Sequence, residues 1–263
     1  MADLGVLGRI AKRAAARVVE LKANRPVEWL RTQPLYDRAP LSLSDALSAG
    51  GPRIIAEVKF ESPSEGVLRK GGSPIEAAKI AKGYAKNGAA AISILTEKDY
   101  FGGDPSFLAG ARDACPETPL LMKDFMVDPY QFELARSIGA DAVLLIAALL
   151  GPRLFEMYSV AKSLGLSVLI EVHNEAEAEA ALAAGDAVIG VNSRDLKTLT
   201  VDLAVAHRLA PLVARSRVAV AESGIRSRAD MDSLAVAGYK GFLIGTSFMK
   251  TPEPGAALKS FLS

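Results

Sequence analysis

The sequence predicts an α/β fold, a single (β/α)8 TIM-type barrel with an N-terminal helical extension. Three observations carry this: a recurring αβ phrase, eight strand-length apolar runs, and no Gly-rich dinucleotide turn after the first of them. The phrase reads NGAAAISIL at 87–95, IGADAVLLI at 138–146, AAGDAVIGV at 183–191 and AGYKGFLIG at 237–245. Each pairs a helix-ending glycine (Gly88, Gly139, Gly185, Gly238) with a short apolar run, as αβ loops require.

Strands are expected near 54–59, 91–95, 119–123, 142–146, 167–171, 187–191, 217–221 and 241–244, each followed by a helical segment. Helix starts are marked by Ser73-Pro74 with Glu76, Asp128-Pro129 with Gln131, and Asn174 with Glu177, which are N-caps with proline at the first position or a capping-box partner. Eight such units fit a barrel of roughly 250 residues better than a doubly wound sheet, which has fewer strands and a GxGxxG turn. The barrel is expected over 51–263.

Residues 1–50 form the extension. Leu4, Leu7, Ala11, Ala14, Val18 and Leu21 recur at helical spacing, and SLSDALSAG at 42–50 predicts a second short helix, with prolines at 26, 34 and 40 between them. The first stretch is Arg-rich like a transit peptide, but it holds Glu20, follows Asp3 and lacks serines, so a docked amphipathic helix covering one barrel end is the better reading.

Composition narrows the function. With 263 residues and half of them apolar, the chain can bury a large core, while a net charge of +1 offers no field for nucleic acid or an anionic membrane. A small-molecule partner is expected. Cys115 is the single cysteine, no Cys/His cluster has metal-ligand spacing, and the apolar run Ala142–Leu150 is far short of the ~20 residues that span a bilayer. A cytoplasmic chain without disulfides, metal or membrane segment is expected, as a monomer or weak homo-oligomer.

Active sites of such barrels lie at the C-terminal strand ends. There the sequence places Glu57 and Lys59, Lys123, Glu171, Asn192 with Arg194, and Glu222 with Ser223, whereas the strand openings are apolar. Glu57 and Lys59, two apart, share one strand face. Carboxylates and amines converging from several strands suit acid/base work, since each shifts the other's pKa. For any one of these residues a structural ion pair is an equally good account; for the group it is a poor one.

FLIGTSFMK at 242–250 runs a strand into Gly245-Thr246-Ser247 and a helical turn, and AESGIRS supplies Gly224 after the seventh strand. Small residues let backbone N–H groups approach an anion, and loops seven and eight are the usual phosphate site of this fold. Strand one closes the barrel beside strand eight, so Lys59 reaches the same ligand. His173 follows Glu171 by two and could join the mouth, but beside the cap Asn174 it is read rather as a loop residue supporting the helix after it; His207 is read as structural, and Cys115 as lying at the wrong barrel end for catalysis. Phe101 packs on a flat substrate or pins its loop.

These residues resemble the indole-3-glycerol-phosphate synthase family of tryptophan biosynthesis. The resemblance covers residues 43–262 and more loosely the extension, resting on IIAEVK-x-x-SPS at 54–64, LMKDF at 121–125, LIEVHNE at 169–175, GVNSRDL at 190–196, AESGI at 221–225 and FLIGTSFM at 242–249. It implies a cofactor-free closure of a pyrrole ring on an anthranilate-substituted deoxyribulose phosphate, with loss of carbon dioxide and water. It further implies Lys123 as general acid, and Glu171 as base or as the group stabilising positive charge at the aniline nitrogen. Lys59 would contact the anthranilate carboxylate or act as a second acid. Glu57, Asn192, Glu222 and Ser223 would orient these groups, Arg194 would bridge neighbouring charges, and Ser62 would contact substrate. Phe101, Phe125, Leu145 and Ile244 match the apolar walls, and Gly224, Gly245 and Thr246 the phosphate positions.

The chain departs from the family at Phe60, Glu61 and Glu65, which make the first loop more acidic, and at Lys197-Thr198-Leu199-Thr200, which lacks an aromatic. Three rivals stand beside this reading: phosphoribosylanthranilate isomerisation, which needs a thiol where Lys59 stands; a Schiff-base aldolase using Lys123 or Lys59; and a non-catalytic phosphate-binding barrel.

Overall fold

The computed structural model describes residues 5–196 and 198–263; Asp3, Leu4 and Lys197, which figured in the expectations above, lie outside them. Eight parallel strands close into a barrel: β1 (Arg53–Val58), β2 (Ala91–Leu95), β3 (Leu120–Lys123), β4 (Ala142–Ile146), β5 (Ser167–Val172), β6 (Val188–Asn192), β7 (Ala219–Glu222) and β8 (Gly241–Ile244). Each pairs with its sequence neighbours, and β1 pairs with β8, so no edge is left open. The seventh strand begins two residues later than expected and ends on Glu222.

The strands are buried on both faces because a parallel barrel is covered by helices outside and filled by side chains inside. Alternation then sorts the residues. Ile55, Leu121, Leu144, Leu169, Val188, Val220 and Leu243 belong to one core cluster, which fills the barrel. Ile54, Ala56, Val143, Leu145, Ile170, Ile189, Ala221 and Phe242 belong to a second, with helix residues such as Tyr84, Met157 and Leu209.

Local signals act as read at two of the three helix starts. Ser73 Oγ accepts from the Glu76 N–H at 3.2 Å, and Asn174 Oδ1 from the Glu177 N–H at 3.0 Å. At the third, the helix begins one residue later, at Tyr130; Asp128 Oδ1 accepts the Tyr130 N–H while Gln131 Oε1 takes those of Val127 and Asp128.

The extension reaches both ends of the barrel rather than one. Helix α1 (Gly5–Asn24) buries Leu7, Ile10, Ala14 and Val18, with Ile10 taking the place expected of Ala11. Its Arg17 reaches the strand-end side, donating to Glu97 at 2.6 Å and Asp99 at 2.5 Å. After a short α2 (Val27–Arg31), α3 (Leu43–Ser48) sends Leu43 and Leu47 into the barrel-filling cluster at the opposite end.

Beside α3 lies a buried ion network. Asp141, fully buried, is paired with Arg38 and Arg112, and accepts the N–H groups of Leu41 and Leu120, each at 2.7 Å. Cys115 sits at this same end, buried, its carbonyl accepting from Arg112. Among the described residues no helix is long and apolar enough to cross a membrane.

Candidate active site

Counting along the strands, the inward residues nearest the C-terminal end are Glu57 on β1, Lys123 on β3, Glu171 on β5 and Glu222 on β7. Side chains at one level of an eight-stranded barrel come from alternate strands. The ionisable groups thus all stand on odd strands. Even strands present Leu95, Leu144 with Ile146, Asn192 and Leu243 to the same hollow, which is completed by Phe101, Phe125 and Leu196. The exceptions to this division are Asn192 and Arg194, polar on an even strand and its loop, and Phe125, apolar after an odd one.

Two glycines make this crowding possible. A side chain at Gly190 would overlap Glu222 Oε1, and one at Gly245 would come within 2.6 Å of Glu57 Oε1. The carboxyls of β7 and β1 occupy the space that their even-numbered neighbours leave empty.

Lys123 Nζ lies 3.3 Å from Glu171 Oε2 and 3.7 Å from Glu222 Oε2. Lys59 Nζ lies 2.7 Å from Glu57 Oε1. Burial pushes the Lys123 ammonium down, but Glu171, Glu222 and Glu57 together outweigh it and hold the amine charged, above its ordinary range. Burial likewise pushes Glu171 up, and is overcome by Lys123, His173 and the Asn192 amide, so this carboxyl stays well below the usual range. Glu57 is lowered in the same way, with Lys59 and Lys123 outweighing burial.

Glu222 goes the other way. Burial is the largest effect, Lys123 offsets part of it, and the charges of Glu171 and Glu57 add to it, so its carboxyl is pushed up to about 8. Three carboxylates around two amines cannot all remain ionised in a dry site, and Glu222 is the one that keeps its proton.

A second hollow adjoins the first, lined by Lys59, Arg194, Gly224, Arg226, Gly245, Thr246 and Ser247. Ser223 and Gly224 both take left-handed backbone angles, φ 63° and 83°. For Ser223 this conformation costs of order 1–3 kcal/mol, and such strain gathers at functional sites. Gly224 admits nothing larger, since an added carbon would meet Val201 at 2.7 Å. Ser247 Oγ donates to the Ile225 carbonyl at 2.8 Å and ties the two loops together.

The aromatic wall is held by Glu97, whose Oε2 accepts the N–H groups of Tyr100 at 2.7 Å and Phe101 at 3.2 Å. Phe101 lies against Phe125 with ring centroids 5.9 Å apart. Ser62, in a small hairpin after β1 (Glu61–Ser62 with Gly66–Val67), lines an annex beside these rings that Leu7 and Ile10 of α1 also reach.

Glu57, Lys59, Lys123, Glu171, Asn192, Arg194, Glu222, Ser223, Phe101 and Phe125 are thus brought together, and Gly224, Gly245 and Thr246 line the second hollow. Two expected wall residues are not. Leu145 faces the helices, because alternation along β4 turns Leu144 and Ile146 inward instead. Ile244 likewise packs in the outer cluster and touches only the second hollow, while Leu243 supplies the wall. Both were matched to the apolar walls by resemblance, and an all-apolar strand carries no polar residue that would mark its inner face independently.

Arg194 lies between Glu65 and Glu57 and feels both charges, while its guanidinium donates to the Leu199 carbonyl at 2.9 Å and its N–H to Asn192 Oδ1 at 2.9 Å. His173, assigned to loop support, stands at the mouth with Nε2 3.4 Å from Glu171 Oε1. His207 is exposed, 3.4 Å from Ser233 Oγ, and not part of a packed interior. Leu95, Leu196, Arg226 and Gly190 escaped notice; Leu95 and Gly190 follow from period-two counting from Glu57 or Glu222 across paired strands, whereas Leu196 and Arg226 lie in the loops after β6 and β7, where alternation gives no signal.

Fold and site together define a (β/α)8-barrel enzyme with acid/base groups at the strand ends, an apolar hollow beside them and an adjoining site built from loops seven and eight. The family model for indole-3-glycerol phosphate synthase matches residues 7–261. The chain belongs to that family. Its relatives include the indole-3-glycerol phosphate synthase of Chromobacterium violaceum, 47% identical over 260 residues with 96% of each chain covered. That of Carboxydothermus hydrogenoformans is 47% identical over 232 residues, with 86% of each covered.

Among solved structures, 3-hexulose-6-phosphate synthase from Salmonella typhimurium is similar at TM-score 0.64 and 14% identity, covering 80% of this chain and 96% of that one. A mutant tryptophan synthase α-subunit from Pyrococcus furiosus is similar at TM-score 0.62 and 13% identity, covering 80% and 97%. These likenesses show the barrel alone.

Proposed function

We propose that the chain converts 1-(2-carboxyphenylamino)-1-deoxyribulose 5-phosphate to indole-3-glycerol phosphate, closing the ring with loss of carbon dioxide and water, as a cytoplasmic enzyme. The observation that carries this reading is Lys123 held between Glu171 and Glu222, with an apolar hollow on one side and the loop-seven and loop-eight hollow on the other. The flat ring lies against Phe101, Phe125, Leu144, Ile146 and Leu243. The phosphate lies against Gly224, Gly245 and Thr246, within reach of Lys59.

The chemistry sets a proton balance. The ring carbon bearing the carboxylate attacks the ketone, whose oxygen takes a proton; that ring carbon then loses carbon dioxide, and its electron pair restores the aromatic ring. The hydroxyl next leaves as water with a second proton, and one proton comes off the methylene beside nitrogen. Two protons are donated and one is recovered, so each turnover draws one from solvent.

Lys123, held charged, donates to the ketone oxygen. Glu171, held strongly anionic, is a poor proton acceptor and serves to stabilise positive charge developing at the aniline nitrogen. Glu222, protonated at neutral pH, supports departure of the hydroxyl, and Asn192, Ser223 and Arg194 position the chain of the substrate. A lysine held above its ordinary pKa makes a poor nucleophile, which counts against the Schiff-base aldolase reading.

Supplying the substrate to purified protein gives the fluorescence of an indole product; no such product would overturn the reading. The pH profile adds a sign. Loss of the Glu222 proton above about 8 lowers kcat, and Glu222→Gln removes that limb. A limb retained in Glu222→Gln would assign it elsewhere. The same proton is bound by the folded chain and not by the unfolded one between 4.5 and about 8, so the contribution of Glu222 to stability falls as pH rises through that window.

Gly190→Ala puts a methyl group where Glu222 Oε1 lies. Displacing a reacting group by about 1 Å can cost about 100-fold, and that drop in kcat is expected with the chain still folded by circular dichroism. A wild-type kcat in this variant would show that Glu222 need not lie against β6.

A further inference from the structure

His173 leaves the end of β5 two residues beyond Glu171, and its ring fills the space between that carboxyl and the helix that follows (Glu175–Ala184). Its Nε2 lies 3.4 Å from Glu171 Oε1 and its Nδ1 3.2 Å from Glu177 Oε2. Glu177 is itself tightly placed. Its Oε2 also accepts the His173 N–H at 2.8 Å, its Oε1 accepts from the Asn174 side chain at 2.6 Å, and its own N–H is capped by Asn174.

Glu171 is therefore gripped from two sides, with Lys123 on Oε2 and His173 on Oε1. We propose that His173 is a positioning residue, a charged imidazole anchored by Glu177 that fixes the rotamer of Glu171 and keeps it ionised during turnover. This rests on the role given to Glu171 above. The signal in the sequence is the spacing of Glu171, His173 and Glu177 across the end of the strand and the first turn of the helix.

Geometry and charge agree on this. At 3.4 Å the contact with Glu171 is an ion pair not yet tightened to a hydrogen bond, and among the described residues Nε2 has no hydrogen-bond partner. Burial pushes the imidazole down, and the two carboxylates overcome it, raising the ring to about 10. The other charged groups near it are Glu222, which feels its charge, and Arg194, Asp195 and Asp202, which line the cavity on its open side. With both ring nitrogens protonated, no choice of tautomer enters.

The chain has only two histidines, which makes the test clean. In NMR spectra of the full-length protein from pH 5.5 to 8.5, the exposed His207 is identified by its loss in His207→Gln. The remaining imidazole is expected to show both nitrogens protonated across the range. A neutral His173 ring at pH 7 overturns the proposal.

Removing a hydrogen-bonded charge of this kind costs roughly 10- to 100-fold, so His173→Gln is expected to lower kcat by that factor with KM changed less than about threefold. The acid limb of its kcat profile moves up by about one pH unit or more, because Glu171 is then easier to protonate. Glu177→Gln, which leaves the ring in place, brings the His173 titration down into the measured range. An unchanged kcat and limb in His173→Gln, or an unshifted titration in Glu177→Gln, overturns the proposal. Should wild-type protein form no indole product, the reaction reading fails, and the NMR titration alone decides the clamp.

Discussion

Lys123→Met is expected to lower kcat by about 100-fold or more, the loss that follows removal of a general acid. The substituent is similar in length and apolar, so it fills the space between Glu171 and Glu222 without donating a proton. Removing the ammonium also takes from Glu171 and Glu222 their strongest counter-charge, so both carboxyls move up and Glu222 holds its proton to higher pH. Substrate affinity changes less, because the phosphate and ring lie in hollows that Lys123 does not hold by itself. Single-turnover kinetics separate the two effects. A variant turning over at the wild-type rate would remove Lys123 from the proton path and leave Lys59 as the remaining amine.

Asp141→Ala is expected to cost about 3–5 kcal/mol of folding stability, the penalty for leaving a buried charge without its partner. Arg112 is 3% exposed and paired with the same carboxylate as the half-buried Arg38, so its guanidinium cannot turn to water without opening the closed end of the barrel. The N–H groups of Leu41 and Leu120 lose their acceptor as well. Urea unfolding with a shifted midpoint and unchanged slope would show this. Activity below the new transition stays near wild type, since the network lies at the opposite end from the mouth. A change under 1 kcal/mol would mean that water or backbone carbonyls take over the role of Asp141.

Why the barrel could be read from the chain, and parts of its site could not, is visible in particular residues. Gly88, Gly139, Gly185 and Gly238 end helices, and apart from Arg53 at the start of β1 the strands carry their charges near their C-terminal ends, so strand count and polarity were legible. Glu57 and Lys59 marked the inner face of β1 by being charged and two apart. No such mark exists in AVLLI or GFLI, where Leu144, Ile146 and Leu243 face inward while Leu145 and Ile244, matched to the walls by resemblance, face the helices. His173 supports the helix after it through Glu177, as read, and also stands at the mouth beside Glu171. Its neighbour Asn174 has a sufficient local role as a helix cap, and the contact with Glu171 depends on how the chain turns after the strand. The reach of the extension to both ends of the barrel depends on long-range pairs such as Arg17 of α1 with Glu97, which local spacing does not show.

The division between odd and even strands bears on how this protein can change over evolutionary time. Leu95, Leu144, Ile146 and Leu243 shape the hollow for the ring yet hold none of the ionisable groups. Drift in these four positions can admit a larger or differently substituted aromatic while the proton inventory of the mouth stays intact. Acquiring a new type of reaction is harder, because Glu57, Lys123, Glu171 and Glu222 set one another's ionisation and cannot be exchanged singly. New substrates and new chemistries are thus reachable by separate mutational routes within one barrel.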